Sequence, residues 1–452
     1  MKRIFLISGL LIAGATTAQK TDFKASLDSM LTHYQKNNAF SGSILLQKNG
    51  ETIYKGEFNN FPGEKEKYRI GSITKIFTSV MIFQLVEEDK LKLGSTLNTY
   101  FPTVKNADRI TIAQMLNHTS GMFNYLEWDE YYDSKDKVFT KEAMLKIIQQ
   151  GKPDFKPGKD SMYSNSGYLL LGYIIEQVTG KSYQENLKTR ILDKVGLYNT
   201  YSETDPSQYS KRAASYKFDG EKWSHEADTH PSFTYSAGNI VSTTEDLAKM
   251  MKALFSGKLV SMKTVDLMKQ TNPQTHIGYG LFRTPIFGKA GFGHTGRIDE
   301  FHAGLAHIPE DKFTVAVLAN GTNVKLNDIV VAVVSKYYGK NYKELDFTTY
   351  TDKNAAPTHI YEGVYNAKLG GIISVGKFRI SKAGKNHLFL SMYSKASEGK
   401  QSRTALLKRI GENEFYSFDN SANLQFDRDK SGKVTGLKLT QGQQSINCSK
   451  IL

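Results

Sequence analysis

The sequence predicts an α+β protein: an antiparallel sheet with flanking helices and an inserted all-helical region, followed by a small C-terminal β-barrel-like domain. Two observations carry this. Strand-like runs stand at both ends of residues 19–345 while helical periodicity fills the middle, so the economical arrangement is one sheet assembled from both ends. From residue 360 onward short alternating strands replace the helical pattern, which reads as a separate barrel or sandwich.

The elements follow in order. Lys2 and Arg3, an apolar run over 4–13 and small residues over 15–18 read as a cleavable signal, residues 1–18, with Gln19 as the mature start. The chain is therefore expected to be exported, periplasmic or extracellular, and the signal ends without a cysteine that could carry a lipid. Residues 23–34 have helical spacing in Phe23, Leu27, Met30, Leu31 and Tyr34. Asn49-Gly50, between strand-like runs at 42–47 and 52–58, is a strong hairpin signal. Helical periodicity then recurs at 73–85, 112–116, 143–148, 169–178 and 247–255. Strands return at 279–282, 301–307 and 314–318, and a helix is expected over 326–338. The segment 19–345 is thus followed by a polar linker at 346–357 and a β domain at 358–452, with strands such as 372–375, 388–392 and 437–439.

Composition limits the function classes. The 452 residues are 39% hydrophobic, enough for a sizeable core, and no stretch beyond the signal reaches the roughly 20 apolar residues of a membrane span. The net charge of +14 falls to +12 without residues 1–18, which hold two cations and no acids. The lysines are spread without a dense basic run, so they read as solvated surface and not as a nucleic-acid interface. Cys448 stands alone, which excludes an internal disulfide and any CxxC site, and it reads as a small core residue.

Ser-x-x-Lys occurs at Ser72/Lys75, Ser134/Lys137, Ser374/Lys377 and Ser397/Lys400. Only Ser72 opens a strongly apolar helix, and residues three apart share a helix face, so the Lys75 amine reaches the Ser72 hydroxyl. A serine hydroxyl needs a neighbouring base, and lysine serves as one only if its pKa falls from about 10.4 toward roughly 7–8, as burial or a second cation makes it do. Tyr163-Ser164-Asn165 offers a phenol to relay a proton, as base and then acid, and an amide to hold the lysine and a substrate. His294-Thr295-Gly296 lies in the strand-rich part. Its glycine permits close backbone approach, and a substrate can lie along it as an added strand. The next backbone amide, Arg297, pairs with that of Ser72 as a candidate oxyanion hole.

These three motifs, in this order and spacing, resemble the penicillin-recognising serine hydrolases. The closer likeness is to the branch of class C β-lactamases, D-alanyl-D-alanine carboxypeptidases and related esterases. The stretches 112–121 (IAQMLNHTSG), 163–180 (YSNSGYLLLGYIIEQVTG) and 237–247 (AGNIVSTTEDL) agree, and the likeness covers about residues 40–335. It implies a β-lactamase-like fold with Ser72 as nucleophile, Lys75 and Tyr163 as proton-transfer groups, and Asn165 and His294 lining the site. Two departures stand out. His294 replaces the lysine usual in β-lactamases of this branch, as in peptidases and esterases, and Arg-Ile-Asp-Glu-Phe follows Gly296 where small residues are more frequent. Arg297 and Asp299 are therefore expected at the rim, with Arg297 available to a substrate carboxylate. The terminal β domain resembles the lipocalin-like modules that follow such hydrolases.

Other signals are weaker. Gly291–Gly296 matches GxGxxG, but a strand follows where a dinucleotide site needs a helix. His225 and His230 are five apart and miss the HExxH spacing, and His118 sits in a turn-like segment that reads as structural. No GxSxG elbow is present, against an α/β-hydrolase. The expected activity is acyl transfer to water from a small peptide, amide or ester, without cofactor or metal. The resemblance points to cell-wall-derived D-peptides, and the same residues would also serve a true β-lactamase or a slowly acylating penicillin-binding sensor.

Overall fold

A computed structural model describes residues 10–61, 65–348, 350, 352, 355–369, 373–393 and 404–451. The expected signal segment lies partly outside these. Its described part is helical and runs into α1, Leu10–Lys36. Among the described residues, β1 (Phe40–Lys48) and β2 (Glu51–Phe58) form the expected hairpin, with Asn49 and Gly50 both at positive φ (53° and 83°). That pair of left-handed conformations is what a two-residue hairpin turn requires. Helices α2 (Thr74–Glu87) and α3 (Asn165–Thr179) lie in the helical insertion. β3 (Phe282–Ile286), β4 (Lys289–Ile298), β5 (Phe301–Ile308) and β6 (Phe313–Thr322) return to the sheet, and α4 (Leu326–Tyr337) closes the unit.

These strands form one antiparallel sheet in the order β2-β1-β6-β5-β4-β3, assembled from both ends of the segment. β1 and β6 sit centrally and are buried along almost their whole length, whereas edge strand β2 alternates exposed and buried. One face packs on the helical region through residues such as Phe77, Val80, Leu170 and Leu318. The opposite face packs on α1 and α4 through Leu27, Leu31, Val317 and Val333. The strand expected at 279–282 begins only at Phe282. Gly280, at φ 83°, makes a turn pressed against α2, where a Cβ would lie 2.2 Å from Ser79 Oγ.

The C-terminal segment closes into an eight-stranded antiparallel barrel, from Gly363–Leu369 to Gln444–Lys450, with Cys448 buried in its core. The residues before it carry no periodicity, yet Tyr342, Leu345 and Phe347 dock on the α1/α4 core. The barrel adds Phe418, whose ring lies 5.4 Å from that of Phe347. Lys325, just before α4, donates from its amide to Phe418 O (3.3 Å) and from Nζ to Asn420 O (3.1 Å).

A buried charge network braces the sheet against the helical region. Arg69 pairs with Glu203 (2.6 Å) and Asp299 (3.0 Å), Lys135 with Asp299 (3.1 Å), and Arg212 with Glu203 (2.7 Å) and Asp228 (2.9 Å). Removing one partner from such a network leaves buried charge uncompensated. Arg69→Met is expected to lower stability by about 3–5 kcal/mol, measured by urea unfolding.

Candidate active site

Tyr68–Arg69 pairs with Ile240–Ser242, and the Ile70 amide bonds Ile240 O at 2.9 Å, which carries the chain to the sheet edge. Gly71 (φ 50°) then turns it into a single 3-10 turn, Gly71–Ile73, so Ser72 precedes α2 instead of opening it. Two glycines bring this turn against β4. A Cβ on Gly71 would lie 2.7 Å from Arg297 N, and one on Gly296 would lie 1.9 Å from Ile70 O and 3.1 Å from Ser72 N. The Ser72 and Arg297 amides are therefore neighbours, able to donate to one oxygen. Gly296→Ala forces β4 away from this turn. It is expected to lower kcat by about 10²–10³, the worth of one oxyanion donor, in steady-state assays with the fold checked by circular dichroism.

Lys75, in the first turn of α2, is fully buried. Its Nζ lies 3.0 Å from Ser72 Oγ, 2.8 Å from Asn165 Oδ1 and 2.8 Å from the Ala237 carbonyl. It also stands over the rings of Tyr163 (4.9 Å) and Tyr168 (5.6 Å). Burial holds its pKa well below that of an ordinary amine, and among the described residues no carboxylate faces it to oppose the shift. The Ala237 carbonyl is delivered by an unusual backbone. Tyr235, inside helix Pro231–Gly238, has φ 35° and ψ −136°, a conformation that costs a bulky residue about 1–3 kcal/mol. The distortion is held by a 2.6 Å bond from Tyr235 OH to Glu176 and by Thr78 Oγ1 on Ser236 O (2.7 Å).

Tyr163 lies just before α3, with its hydroxyl buried beside Ser72. It is near enough to feel that hydroxyl, yet its geometry completes no hydrogen bond to a described residue. Burial raises its pKa far more than Ser72 lowers it, so Tyr163 stands as a neutral phenol. The His118 ring stacks on it at 4.4 Å and accepts from the Ser164 amide at 3.0 Å, so His118 sets the orientation of the tyrosine. His294 packs on Phe282 at 4.0 Å, and its Nδ1 lies against the Thr295 carbonyl. Its Nε2 is buried without a partner among the described residues. Burial first, then the nearby Lys75, push the His294 pKa down to about 3, and the same causes hold His118 well below its usual value. Both imidazoles are neutral.

The structure thus brings Ser72, Tyr163, Asn165, His294, Gly296 and Arg297 to one cavity of about 1350 Å³, with Lys75 buried behind Ser72. Thr295, also on its wall, is exposed on the β4 face opposite His294. The two rim residues behave differently from expectation. Asp299 is buried in the charge network and also accepts from the Thr229 amide and hydroxyl (3.0 and 2.7 Å), because its turn folds back under β4. The Arg297 side chain lies 3.7 Å from Glu300 and 3.6 Å from Asp419, so two carboxylates already face it, one from the barrel. Burial raises the Glu300 carboxyl to about 7, partly offset by Arg297.

Sequence reasoning missed Asn124, whose Oδ1 accepts from both the amide and Nδ2 of Asn165 at 3.2 Å, and it missed the Ala237 carbonyl. Asn124 follows the Gly121 turn closely, but its residue type alone signals nothing. Of the rival Ser-x-x-Lys pairs, Ser134/Lys137 has an exposed lysine. Ser397 and Lys400 lie outside the described residues, as does the Ser374 side chain. His230 caps helix Pro231–Gly238 through the Ser232 amide at 3.2 Å. No group of three or more metal-capable side chains occurs among the described residues.

Comparison with known proteins agrees with this geometry. The family model described as Beta-lactamase matches residues 27–332. The putative penicillin-binding protein PbpX of Bacillus subtilis is 29% identical over 56% of this chain and 65% of its own length, just under two thirds. The teichoic acid D-alanine hydrolase of Staphylococcus aureus is 27% identical over 64% of this chain and 72% of its own. Among solved structures, an octameric penicillin-binding protein homologue from Pyrococcus abyssi aligns with TM-score 0.62 at 25% identity, covering 94% of this chain and 99% of that one. The D-amino acid amidase of Ochrobactrum anthropi SV3 shares the fold, with TM-score 0.63 at 23% identity over 71% of this chain and 100% of its own. With the family match spanning most of the chain and Ser72, Lys75, Tyr163, Asn165 and His294 all falling inside it, this protein belongs to the β-lactamase family and is a serine hydrolase.

Proposed function

We propose that the protein hydrolyses esters or amides of D-amino acids, D-alanyl groups foremost, through a covalent acyl-enzyme on Ser72. The observation that carries the mechanism is the set of bonds around Lys75. A neutral amine has two N–H donors and one lone pair. Asn165 Oδ1 and the Ala237 carbonyl can only accept, so they take both donors and leave the lone pair aimed at Ser72 Oγ, 3.0 Å away. Lys75 therefore receives the Ser72 proton as Oγ attacks the acyl carbon, and the Ser72 and Arg297 amides hold the developing oxyanion. Tyr163, kept neutral by burial, supplies a proton to the departing oxygen or nitrogen and is restored from Lys75. Water then attacks the acyl-enzyme by the reverse relay. In this reading Lys75 acts as base and Tyr163 as acid in acylation.

The D-alanyl preference is supported by the 27% identity to a teichoic acid D-alanine hydrolase and by His294 in place of the β-lactamase lysine. Export is proposed from the Lys2-Arg3 start, the apolar run and the small residues before Gln19, and is checked by sequencing the N-terminus of the secreted protein. A panel of D-alanyl ester, D-alanyl anilide, the L-isomers and a chromogenic cephalosporin tests the substrate class. The D-compounds are expected to be turned over fastest. Faster cephalosporin hydrolysis would make it a β-lactamase, and penicillin labelling without turnover of any member would make it a sensor.

The pH profile follows from the same bonds. Lys75 works only when neutral, and its pKa is lowered, so kcat/KM is full above that depressed value and falls as pH drops through it. His294, near 3, titrates too low to produce an acid limb above pH 5. His294→Gln should leave the limb in place, as read from kcat/KM between pH 5 and 9.

A further inference from the structure

The cavity that holds Ser72 does not end at the catalytic groups. β3 pairs with β4 only as far as Phe282 opposite Gly293, so beyond that point the outer edge of β4 carries no strand among the described residues. The cavity continues around this open edge onto the sheet face that α4 covers. There its lining changes character. Gly304 and Ala306 of β5 form a low floor, Val330, Val331 and Val334 of α4 form one wall, and Ile286 of β3 stands opposite.

The register places this lobe beside the reaction centre. Gly304 lies opposite Thr295 and Ala306 opposite Gly293, so a chain passing over Thr295 from Ser72 meets the floor at once. Charged groups stand at the mouth, Arg297, Lys325 and Asp419, with His302, whose Nε2 has no partner among the described residues, while the exposed Asn327 of α4 and Thr284 of β3 also line the cavity. At about 1350 Å³ the whole cavity exceeds the roughly 300–1,000 Å³ of usual small-ligand pockets. A D-alanyl group fills only a small part of it.

We propose that this lobe is an aliphatic-chain subsite, and that the substrate is an amphiphile whose ester or amide sits at Ser72 while its alkyl chain lies along Gly304, Ala306 and α4. This rests on the acyl-enzyme reading above and narrows its substrate class. The chain's polar end meets the charged mouth, and each methylene buried in the lobe raises kcat/KM by about three- to fourfold.

The test uses the full chain and two ester series below their micellar concentrations. D-alanine methyl, butyl and octyl esters place the alkyl chain on the leaving group, and p-nitrophenyl acetate, butyrate and octanoate place it on the acyl group. In one series kcat/KM is expected to climb at least tenfold with length. Val331→Trp, at a position 41% exposed and so tolerant of bulk, is expected to lower the longest member at least tenfold and the shortest less than twofold. A flat profile in both series, or equal loss on short and long members, overturns the subsite. Fluorophosphonate labelling of Ser72 is independent of chain length. Labelling with a flat profile therefore sinks the subsite alone, whereas absence of labelling sinks the acyl-enzyme reading.

Discussion

Ser72→Ala is expected to abolish covalent labelling by a fluorophosphonate or penicillin probe and to lower kcat by about 10⁴–10⁶. The size follows from what is lost. The methyl group has no lone pair to attack with, and the remaining oxyanion donors and substrate contacts sustain only the residual 10³–10⁴ over water seen when a nucleophile is removed. Intact-protein mass spectrometry reads the adduct, and a D-alanyl ester reads turnover. The substitution should leave the fold unchanged, because among the described residues the Ser72 hydroxyl bonds only Lys75 and caps no helix. Activity persisting in Ser72→Ala would remove the proposed mechanism entirely.

Lys75→Ala has the second largest expected effect, a loss of about 10²–10⁴ in kcat/KM together with loss of the acid limb. Without the amine, the groups left near Ser72 are poor bases, since Tyr163 is a neutral phenol and burial lowers the pKa of both nearby imidazoles. The double variant Ser72→Ala/Lys75→Ala should be no slower than Ser72→Ala alone, because groups acting as one unit fail together. An additive loss would mean that Lys75 acts on something other than Ser72. Thermal unfolding of Lys75→Ala separates this from a packing defect. The cavity left beside Asn165 and Ala237 lowers stability, but it does not change the pH dependence of whatever rate remains.

Much of the site was legible because its parts are local. Ser72 and Lys75 are three residues apart, and one helical turn is enough to bring them together. Tyr163 and Asn165 flank the start of α3, and His294 and Gly296 lie two apart on one strand, so each pair keeps its geometry whatever surrounds it. The fold was legible for a similar reason, since helical and strand periodicities alternate in long blocks. β4 itself was harder to see. Its glycines at 291, 293 and 296 depress strand propensity, although they are what allows close approach. The strained Tyr235 has no local signal, because only tertiary bonds to Glu176 and from Thr78 hold it. The fate of Arg297 and Asp299 depends on partners at positions 69, 135 and 419, beyond the reach of any local pattern.

The seat of the barrel on Lys325, with Asp419 on the cavity wall, separates two boundaries that usually coincide. The family match ends at residue 332, whereas the lining of the cavity extends to Asp419 in the barrel. The segment that the family model matches is thus shorter than the wall of the cavity it contains. A substitution at Asp419 therefore alters the lining of the cavity while every residue of the reaction centre stays as it is.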